Sequence, residues 1–307
     1  MYRIGIDIGG NSTKIGIVNH NGIVHKSCVL DKEHYADINY FVEKVAESIF
    51  AFGEKEIAGI GIGAPNANYR TGTIDFPPNL PWKGITPLAG MISAKTNLPV
   101  KMTNDANAAA IGEMKFGAAR GMKDFIVITL GTGIGSGIVA NGELIAGHNG
   151  FAGELGHTTI HTGGRLCGCG RKGCLEAYAS ATGVAFTARE WLAETAEQTL
   201  LRYIPINEIT AKNVYEAAIE SDALALRIFE YTGNLLGEAF ANFIAFSNPE
   251  AIILFGGLTR AGNLLLKPIK ESVEKNVLPI YRGKTKILVS ELKESDAAIL
   301  GASALVT

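Results

Sequence analysis

The sequence lacks any strong excess of charge. Its 307 residues include 28 Lys and Arg against 30 Asp and Glu, which gives a formal charge of -2. Without a positive excess, we expect no bulk electrostatic attraction to nucleic acid or to an anionic membrane surface. The chain has no apolar run near the about 20 residues that a bilayer span needs, and no basic segment before an apolar one at its start. These absences predict a cytoplasmic protein whose partners are neither nucleic acid nor membrane.

Cysteine is scarce as well, with four in the whole chain. Cys28 stands alone, whereas Cys167, Cys169 and Cys174 crowd into eight positions, which is a poor basis for a disulfide framework. With His157 they form the pattern H-x9-C-x-C-x4-C, whose nitrogen and sulfur ligands suit a tetrahedral Zn²⁺ site. A redox pair or three idle thiols are the alternatives. Because four protein ligands leave no position for a reactive water, we expect the Zn²⁺ to be structural.

Two common nucleotide-binding motifs are missing. No GxxxxGK[ST] occurs, and the glycines from Gly131 to Gly137 are not spaced as GxGxxG. The chain instead has glycine turns after apolar strands, in DIGGNSTK, LGTGIGSG and AIILFGG. Glycine lets backbone N–H groups approach a phosphate closely, although an ordinary hairpin turn is the alternative for the first segment. The residues of interest on these turns are Asp7, Gly9, Gly10, Lys14, Thr132, Gly133 and Gly135, with Gly256 and Gly257 expected near an adenosine.

The order of predicted elements indicates an α/β protein with two domains. An antiparallel strand meander opens the chain, and helices and strands then alternate. The segments Gly10 to Gly16 and Gly131 to Gly137 share their glycine spacing, and each is followed by Ile-Val and an Asn-Gly turn. This similarity predicts a duplicated unit, with a chance resemblance of two glycine-rich hairpins as the alternative. We expect one domain over residues 1–118, completed by a C-terminal helix over 294–307, and a second over 119–293.

Polar residues that suit a sugar or a reacting hydroxyl lie in two further regions. Asn104 and Asp105 stand where a strand meets a helix, the edge at which ligands of α/β domains gather, although both residue types are also preferred N-caps. Glu154 and His157, in ELGH, and Glu176, just after the last cysteine, would be brought together by a folded zinc loop. Carboxylates accept and imidazole donates hydrogen bonds to hydroxyls. Surface carboxylates beside a zinc loop are the alternative for the two glutamates.

These segments resemble the ROK family of sugar kinases, repressors and open reading frames. The resemblance is carried by the DIGG loop, GIGAP, NLPW, NDANAAA, LGTGIGSG, GFAGELGH, CGCGRKGCLE and FGG, and it runs through nearly the whole chain. It implies two ribonuclease-H-like domains with ATP, Mg²⁺ and a hexose in the cleft between them, and a homodimer. The family's repressors carry a helix-turn-helix region ahead of the DIGG-type segment. Because this chain begins at that segment, we expect an enzyme.

The resemblance also implies roles for single residues. Asp105 is the catalytic base, which fits a reaction that depends more on positioning and charge neutralisation than on a strong base. Asp7 orders Mg²⁺. The implied sugar-binding residues are Asn79, Asn104, Asp105, Glu154, His157 and Glu176. The implied nucleotide-binding residues are Asp7, Gly9, Gly10, Asn11, Thr13, Lys14, Thr132, Gly133, Gly135, Gly256 and Gly257.

Two residues depart from the family pattern. Asn11 stands where Thr usually follows the paired glycines, and Asn66 follows Pro65 where Gly is usual. A bulkier residue at position 66 is expected to narrow the pocket beside carbon 2 of the sugar. This favours glucose as the substrate, phosphorylated to glucose 6-phosphate, over N-acetylmannosamine, N-acetylglucosamine or fructose.

Overall fold

The structure, a computed structural model, describes residues 1–77, 79–293 and 296–306. Over these ranges, none of the helices has both the length and the apolar character that a membrane crossing requires. The strands in the described part are β1 (Tyr2–Ile8), β2 (Ser12–Val18), β3 (Val24–Asp31), β4 (Ile57–Gly63), β5 (Ile74–Asp75), β6 (Ile85–Thr86), β7 (Val100–Thr103), β8 (Phe125–Leu130), β9 (Ile134–Ala140), β10 (Glu143–Leu144), β11 (Ala251–Phe255) and β12 (Lys286–Val289). The α-helices there are α1 (Ile38–Ala51), α2 (Leu88–Thr96), α3 (Asp105–Phe116), α4 (Glu176–Ala179), α5 (Ala181–Glu194), α6 (Ala211–Ile219), α7 (Ala223–Ser247), α8 (Asn263–Asn276) and α9 (Ala297–Ser303).

The first sheet has the strand order β3-β2-β1-β4-β7. β1, β2 and β3 pair antiparallel, which confirms the predicted meander, whereas β4 is parallel to both β1 and β7. The register places Asp7 opposite Lys14 on β2 and opposite Gly63 on β4. The carboxyl ends of β1, β4 and β7 therefore meet at one edge of this sheet.

The second sheet repeats this order as β10-β9-β8-β11-β12. β10 is antiparallel to β9, and β11 is parallel to both β8 and β12. The matching order supports the predicted duplication and confirms an α/β protein with two ribonuclease-H-like domains. The predicted cleft between them stays a prediction.

Apolar residues of α1 cover the first sheet with the face that helical spacing predicts. Phe41, Val45 and Ile49 are fully or almost fully buried, and they share one core with Ile4 and Ile6 of β1. Burying an aliphatic or aromatic side chain of this size contributes about 1.5–3 kcal/mol each. This core fixes β1, and with it the position of Asp7 at the strand's end.

The C-terminal helix α9 lies directly on β1 and β4, and glycines make this possible. A Cβ on Gly5 would lie 2.0 Å from the carbonyl oxygen of Ile299, and one on Gly61 only 1.8 Å from that of Ala302. A Cβ on Gly301 would likewise lie 2.6 Å from the carbonyl oxygen of Ala108 in α3. Because α9 touches both the sheet and α3, it fixes the helix that begins at Asp105.

By compactness the chain divides into two units. One contains Met1–Lys123, Gly137–Gly153 and the C-terminal segment from Ser290, and the other contains Asp124–Ser136 and Glu154–Val289. Residues 294, 295 and 307 of the predicted C-terminal helix lie outside the described residues, and α9 begins at Ala297. The predicted domain bounds of 1–118 and 119–293 stay a prediction.

Candidate functional site

Asp7 and Asp105 lie close together at the carboxyl edge of the first sheet. Gly63, at the end of β4, stands between the two strands that carry them: it pairs with Asp7 on one side and with Thr103 on the other. A Cβ on Gly63 would lie 3.8 Å from the Cα of Asp105. The missing side chain lets α3 pack closely on this strand end, since the nearest atom to such a Cβ would be the Cβ of Ala108 at 3.3 Å.

Asn104 and Asp105 divide the two roles that the sequence left open. The Asn104 side chain caps α3, because its Oδ1 accepts the N–H of Asn107 at 2.7 Å. Asp105 is the first residue of the helix, and its Oδ1 accepts the neighbouring N–H of Ala106 at 2.8 Å. Capping therefore belongs to Asn104, and the exposed carboxylate of Asp105 is left to face a ligand.

Both carboxyl groups have pKa values above the ordinary value for aspartate. Burial and the nearby Asp105 raise the pKa of Asp7 to about 6, and the positive charge of Lys14 acts in the opposite direction. Desolvation by the surrounding protein raises the pKa of Asp105 although its side chain reaches solvent, and backbone hydrogen bonds oppose the shift. Two adjacent acidic groups with raised pKa values are typical of a site that binds a cation or moves a proton.

The first glycine loop is tied to the protein core below it. The Gly9 N–H donates to the carbonyl of Ser12 at 3.0 Å, and the buried Tyr35 hydroxyl donates to the carbonyl of Gly9 at 2.9 Å. A Cβ on Gly10 would lie 3.2 Å from the Cβ of Asn79, so only glycine lets the two loops meet. The structure thus brings the predicted sugar residue Asn79 against the predicted nucleotide loop.

Three other predicted residues of this region differ in accessibility. Asn11 is exposed on the loop and Lys14 is half-buried beside Asp7. Thr13 is fully buried, and its hydroxyl lies 2.9 Å from the hydroxyl of Tyr35. Thr13 is therefore placed to support the loop from beneath, out of a ligand's direct reach.

The second glycine loop follows β8. The Gly131 N–H donates to the carbonyl of Gly133 at 3.0 Å, and the Gly135 N–H donates to the hydroxyl of Thr129 at 3.0 Å. Thr132 offers its carbonyl to the hydroxyl of Thr182 at 2.8 Å. These bonds hold the turn tightly and leave its outer surface to a ligand.

The third glycine pair ends β11. Gly256 has a φ of 110°, and a Cβ there would lie 2.6 Å from the carbonyl oxygen of Leu130, so no other residue fits. A Cβ on Gly257 would meet nothing within 4 Å. Gly256 thus serves the packing of β11 on β8, while Gly257 is open to an incoming group.

The predicted metal ligands come together in one cluster. The ligand atoms of His157, Cys167, Cys169 and Cys174 all lie within 4.8 Å of one another. The Nδ1 of His157 lies 3.6 Å from the Sγ of Cys167, and the Sγ atoms of Cys169 and Cys174 are 3.7 Å apart. Around a tetrahedral ion with bonds of about 2.3 Å, neighbouring sulfur ligands are about 3.8 Å apart. The cluster therefore has the donor set and the spacing of a closed metal site.

Backbone geometry explains how this loop folds. Gly173 has a φ of 81°, and a Cβ there would lie 1.8 Å from the carbonyl oxygen of His161. Leu166 and Lys172 form a short bridge, and the Cys167 N–H donates to the carbonyl of Arg171 at 2.8 Å. The turn between them presents two cysteines on one side.

The predicted sugar residues of this region lie on both sides of the cluster. Glu154 is exposed just before a short 3-10 helix, Leu155–His157, whose last residue is the metal-ligand candidate. Glu176 is half-buried at the start of α4, and its Oε1 accepts the thiol of Cys167 at 3.4 Å. Its Oε2 accepts the Ile134 N–H at 2.8 Å. The sequence missed this second contact of Glu176.

Asn66 does not act as the sequence led us to expect. It adopts the left-handed conformation, with a φ of 52°, that a glycine would also adopt. Its Nδ2 donates to the carbonyls of Asp75 and Phe76, each at 3.1 Å. The side chain is folded onto its own loop, so its direction gives no support to the expectation that it narrows a sugar pocket.

The sequence did not indicate a structural role for Tyr35, described above, or for Asn68. Asn68 is buried, its Oδ1 accepts the N–H of Arg70 at 3.0 Å, and its Nδ2 donates to the carbonyl of Asn149 at 2.9 Å. A Cβ on Gly150 would lie 2.2 Å from its Oδ1. The only signal in the sequence is an Asn among turn-forming residues, which is too common to single out.

The sequence of this chain is similar to those of several known proteins. The sequence model of the ROK family matches residues 3–307. A glucokinase from Halalkalibacterium halodurans is 39% identical to the chain, over 99% of this chain and 94% of that protein. A xylose repressor from Caldicellulosiruptor bescii is 32% identical, over 99% of this chain and 77% of the repressor.

A solved structure extends the similarity to the fold. The crystal structure of a ROK family glucokinase from Streptomyces griseus, in complex with glucose and AMPPNP, matches with a TM-score of 0.82 and 32% identity. The match covers 100% of this chain and 99% of that one.

Proposed function

The chain belongs to the ROK family and is an ATP-dependent sugar kinase, and we propose that it phosphorylates a hexose, glucose above all, on its 6-hydroxyl. The observation that carries this proposal is the pairing of Asp105 with Asp7 at the end of the first sheet, with capping of α3 left to Asn104. A carboxylate that is not needed to cap its helix is available to a substrate hydroxyl.

Asp105 acts as the general base in the proposed reaction. The 6-hydroxyl oxygen attacks the γ-phosphorus of ATP, the bond from that phosphorus to the ADP oxygen breaks, and the hydroxyl proton passes to Asp105. Since the proton leaves late in such a reaction, a carboxylate suffices as the base. Its raised pKa brings it closer to the pH at which it must accept and release a proton.

Asp7 is the residue that would hold Mg²⁺, directly or through water. The donor set fits this cation, because Asp7 and Asp105 are neighbouring carboxylates and therefore hard oxygen ligands. Burial, and then the charge of Asp105, raise the pKa of Asp7 to about 6, and a bound cation would favour its ionised form. Bound Mg²⁺ supplies positive charge that offsets the phosphate oxygens. Lys14, beside Asp7, contributes charge in the same place.

The Cys3His cluster would hold Zn²⁺ in a structural role. Burial raises the pKa of Cys167 to about 12, so the isolated thiol is protonated at neutral pH and metal binding must displace its proton. With all four ligands supplied by the chain, the ion would have no open position for a reactive water.

The sugar would be held by groups gathered from several loops. Because the Nδ1 of His157 faces the thiols, its Nε2 is the nitrogen left for a hydroxyl. Asn104 uses its side-chain oxygen for capping, which leaves its amide N–H to donate to a hydroxyl. Asn79, Glu154 and Glu176 complete the proposed set.

The preference for glucose now rests on similarity, since Asn66 no longer supports it. Glucokinases are among the relatives at 39% and 36% identity. The experiment is a comparison of kcat/KM for glucose, N-acetylmannosamine, N-acetylglucosamine and fructose at saturating ATP. We expect glucose to lead, and another sugar that exceeds it by about tenfold, about 1.4 kcal/mol, would move the assignment to that sugar.

A sugar-sensing protein without kinase activity is the second candidate, because a xylose repressor is 32% identical to the chain. Such a protein would bind a sugar without releasing ADP from ATP.

We also propose that the protein forms a homodimer. Sedimentation velocity would measure its oligomeric state.

A further inference from the structure

The second glycine loop, residues 131–135, is held by a segment that follows the Cys3His cluster. The Ala181 N–H donates to the carbonyl of Gly131 at 2.9 Å, and the Thr182 hydroxyl donates to the carbonyl of Thr132 at 2.8 Å. This segment is itself fixed, because the Ser180 side chain caps α5 by accepting the Gly183 N–H at 3.0 Å. We call residues 176–182 the clamp segment.

Glu176, the first residue of the clamp segment, also contacts the loop backbone. Its Oε2 accepts the Ile134 N–H at 2.8 Å. A Cβ on Gly133 would lie only 2.4 Å from the same oxygen. The carboxylate therefore lies directly against the loop backbone, and a side chain at position 133 would force it to move away.

The other oxygen of Glu176 reaches the metal cluster. Its Oε1 lies 3.4 Å from the Sγ of Cys167, a thiol that is 4% exposed and 3.6 Å from the Nδ1 of His157. One carboxylate thus contacts a metal-ligand candidate and the glycine loop at the same time. A metal held by the cluster would fix Cys174, two residues before Glu176, and so limit the freedom of the Glu176 backbone and carboxylate to turn away.

We propose that Glu176 is a positioning residue that couples metal binding in the Cys3His cluster to nucleotide binding at the 131–135 loop. The inference rests on the proposed function in taking this loop as a phosphate-binding loop. A loop already ordered by Glu176 loses less conformational freedom when a nucleotide binds. Because coupling between two sites is reciprocal, bound nucleotide also raises the affinity of the cluster for the metal by the same factor.

The test measures the Kd of the β,γ-imido analogue of ATP by calorimetry, without sugar, alongside metal content by mass spectrometry. The proteins are wild type, Glu176→Ala and a control, Glu194→Ala, whose exposed glutamate ends α5. Each is measured as purified with metal and after chelation. We expect chelation to weaken nucleotide binding about tenfold in wild type and in the control, a typical coupling between sites. Metal-loaded Glu176→Ala should bind about tenfold more weakly from the start and lose less than about twofold on chelation.

Two results would overturn the inference while leaving the proposed function intact. One is a metal-loaded Glu176→Ala protein that binds nucleotide as wild type does, and the other is an unchanged effect of chelation in that variant. A wild-type protein that binds no nucleotide would instead contradict the proposed function and this inference with it. If Glu176→Ala does not fold, Glu176→Gln replaces it: its amide oxygen still accepts from Ile134, so nucleotide affinity should stay within about threefold of wild type. A tenfold loss in that folded, metal-loaded variant would overturn the inference.

Discussion

The two glycine loops occupy equivalent places in two sheets of the same strand order, yet different parts of the protein support them. The loop after β1 rests on the hydrophobic core through Tyr35, and its strand ends in the carboxylate of Asp7. The loop after β8 is held by the clamp segment through Glu176. Duplication thus kept the fold of the turn while its support diverged. The first copy carries the acidic chemistry, and the second depends on a cluster of metal ligands.

The largest expected effect separates chemistry from helix capping at the first sheet. In Asp105→Asn we expect kcat to fall by about 10²–10⁴, because the base is lost, while the Kd for sugar changes little. The free energy of unfolding should not fall and should rise at neutral pH, since Asn104 already caps α3 and burial raises the pKa of Asp105, so that its ionised form destabilises the fold. Stopped-flow or coupled assays give kcat, and urea unfolding gives the stability.

Asn104→Ala is the matched variant, and it should lose about 1 kcal/mol of stability through the missing cap. A stability loss of that size in Asp105→Asn, together with near-normal kcat, would show that Asp105 serves the helix and not the reaction.

The second prediction breaks the support of the loop after β8. Cys167→Ser should lose bound metal and lower the free energy of unfolding by more than about 2 kcal/mol, because metal binding contributes to folding of this loop. Sugar affinity should fall in the same variant. Mass spectrometry measures the metal content, and thermal unfolding measures the stability.

Cys28→Ser, in β3 of the other sheet, is the control, and it should stay within about 1 kcal/mol of wild type. An unaltered KM for sugar in a metal-free Cys167→Ser protein would separate the cluster from the sugar site.

The third prediction concerns the loss of folding stability that results from burying an ionised Asp7 beside Asp105. The pKa of Asp7 is raised from 3.8 to about 6 in the folded protein, so the folded state holds its proton more tightly than the unfolded state does. Ionised Asp7 therefore destabilises the fold above pH 6, and Asp7→Asn should gain about 1–3 kcal/mol at pH 7. The gain should shrink as the pH falls from 6 towards 4, because wild-type Asp7 then becomes neutral.

Urea unfolding at pH 7 and pH 4 measures this difference. The control is Asp37→Asn, at the N-cap of α1, whose free energy of unfolding should stay close to that of wild type because Asn and Asp cap helices equally well. Equal stability of Asp7→Asn and wild type at pH 7 would mean that burial and the nearby Asp105 do not raise the pKa of Asp7 as described. Kinase activity should be lost in Asp7→Asn at both pH values.

The smallest effect tests the support of the loop after β1. Tyr35→Phe removes the hydroxyl that donates to the Gly9 carbonyl and lies against Thr13. We expect a loss of about 1 kcal/mol in stability and a KM for ATP that rises a few-fold. Tyr40→Phe, an exposed tyrosine on α1, is the control. A Tyr35→Phe protein with the KM and stability of wild type would show that the Tyr35 hydroxyl does not hold this loop in place.

The elements that local pattern determines were the ones that the sequence predicted well. The meander, the strand repeats and the buried face of α1 follow from alternation and helical spacing, which need no knowledge of distant contacts. The cysteine spacing predicted the metal cluster for the same reason, since its ligands lie on one short segment and a neighbouring histidine.

Residues whose role depends on tertiary contacts were not predictable. The resemblance implies that Thr13 binds the nucleotide, but Thr13 is fully buried against Tyr35, which lies 22 positions further along the chain. Asn66 is turned onto its own loop, because its amide donates to the carbonyls of Asp75 and Phe76. The contact of Glu176 with Ile134 joins residues 42 positions apart, and no local pattern encodes it.

Phosphorus-31 NMR of the wild-type protein with glucose, ATP and Mg²⁺ tests the central claim most directly. We predict that a sugar 6-phosphate signal grows in step with ADP, that neither appears without glucose, and that Asp105→Asn reduces both by at least about 100-fold. ADP and sugar phosphate that form equally fast with Asp105→Asn would contradict the account of the site. The absence of a sugar phosphate from every hexose and N-acetylhexosamine supplied would contradict the kinase assignment itself.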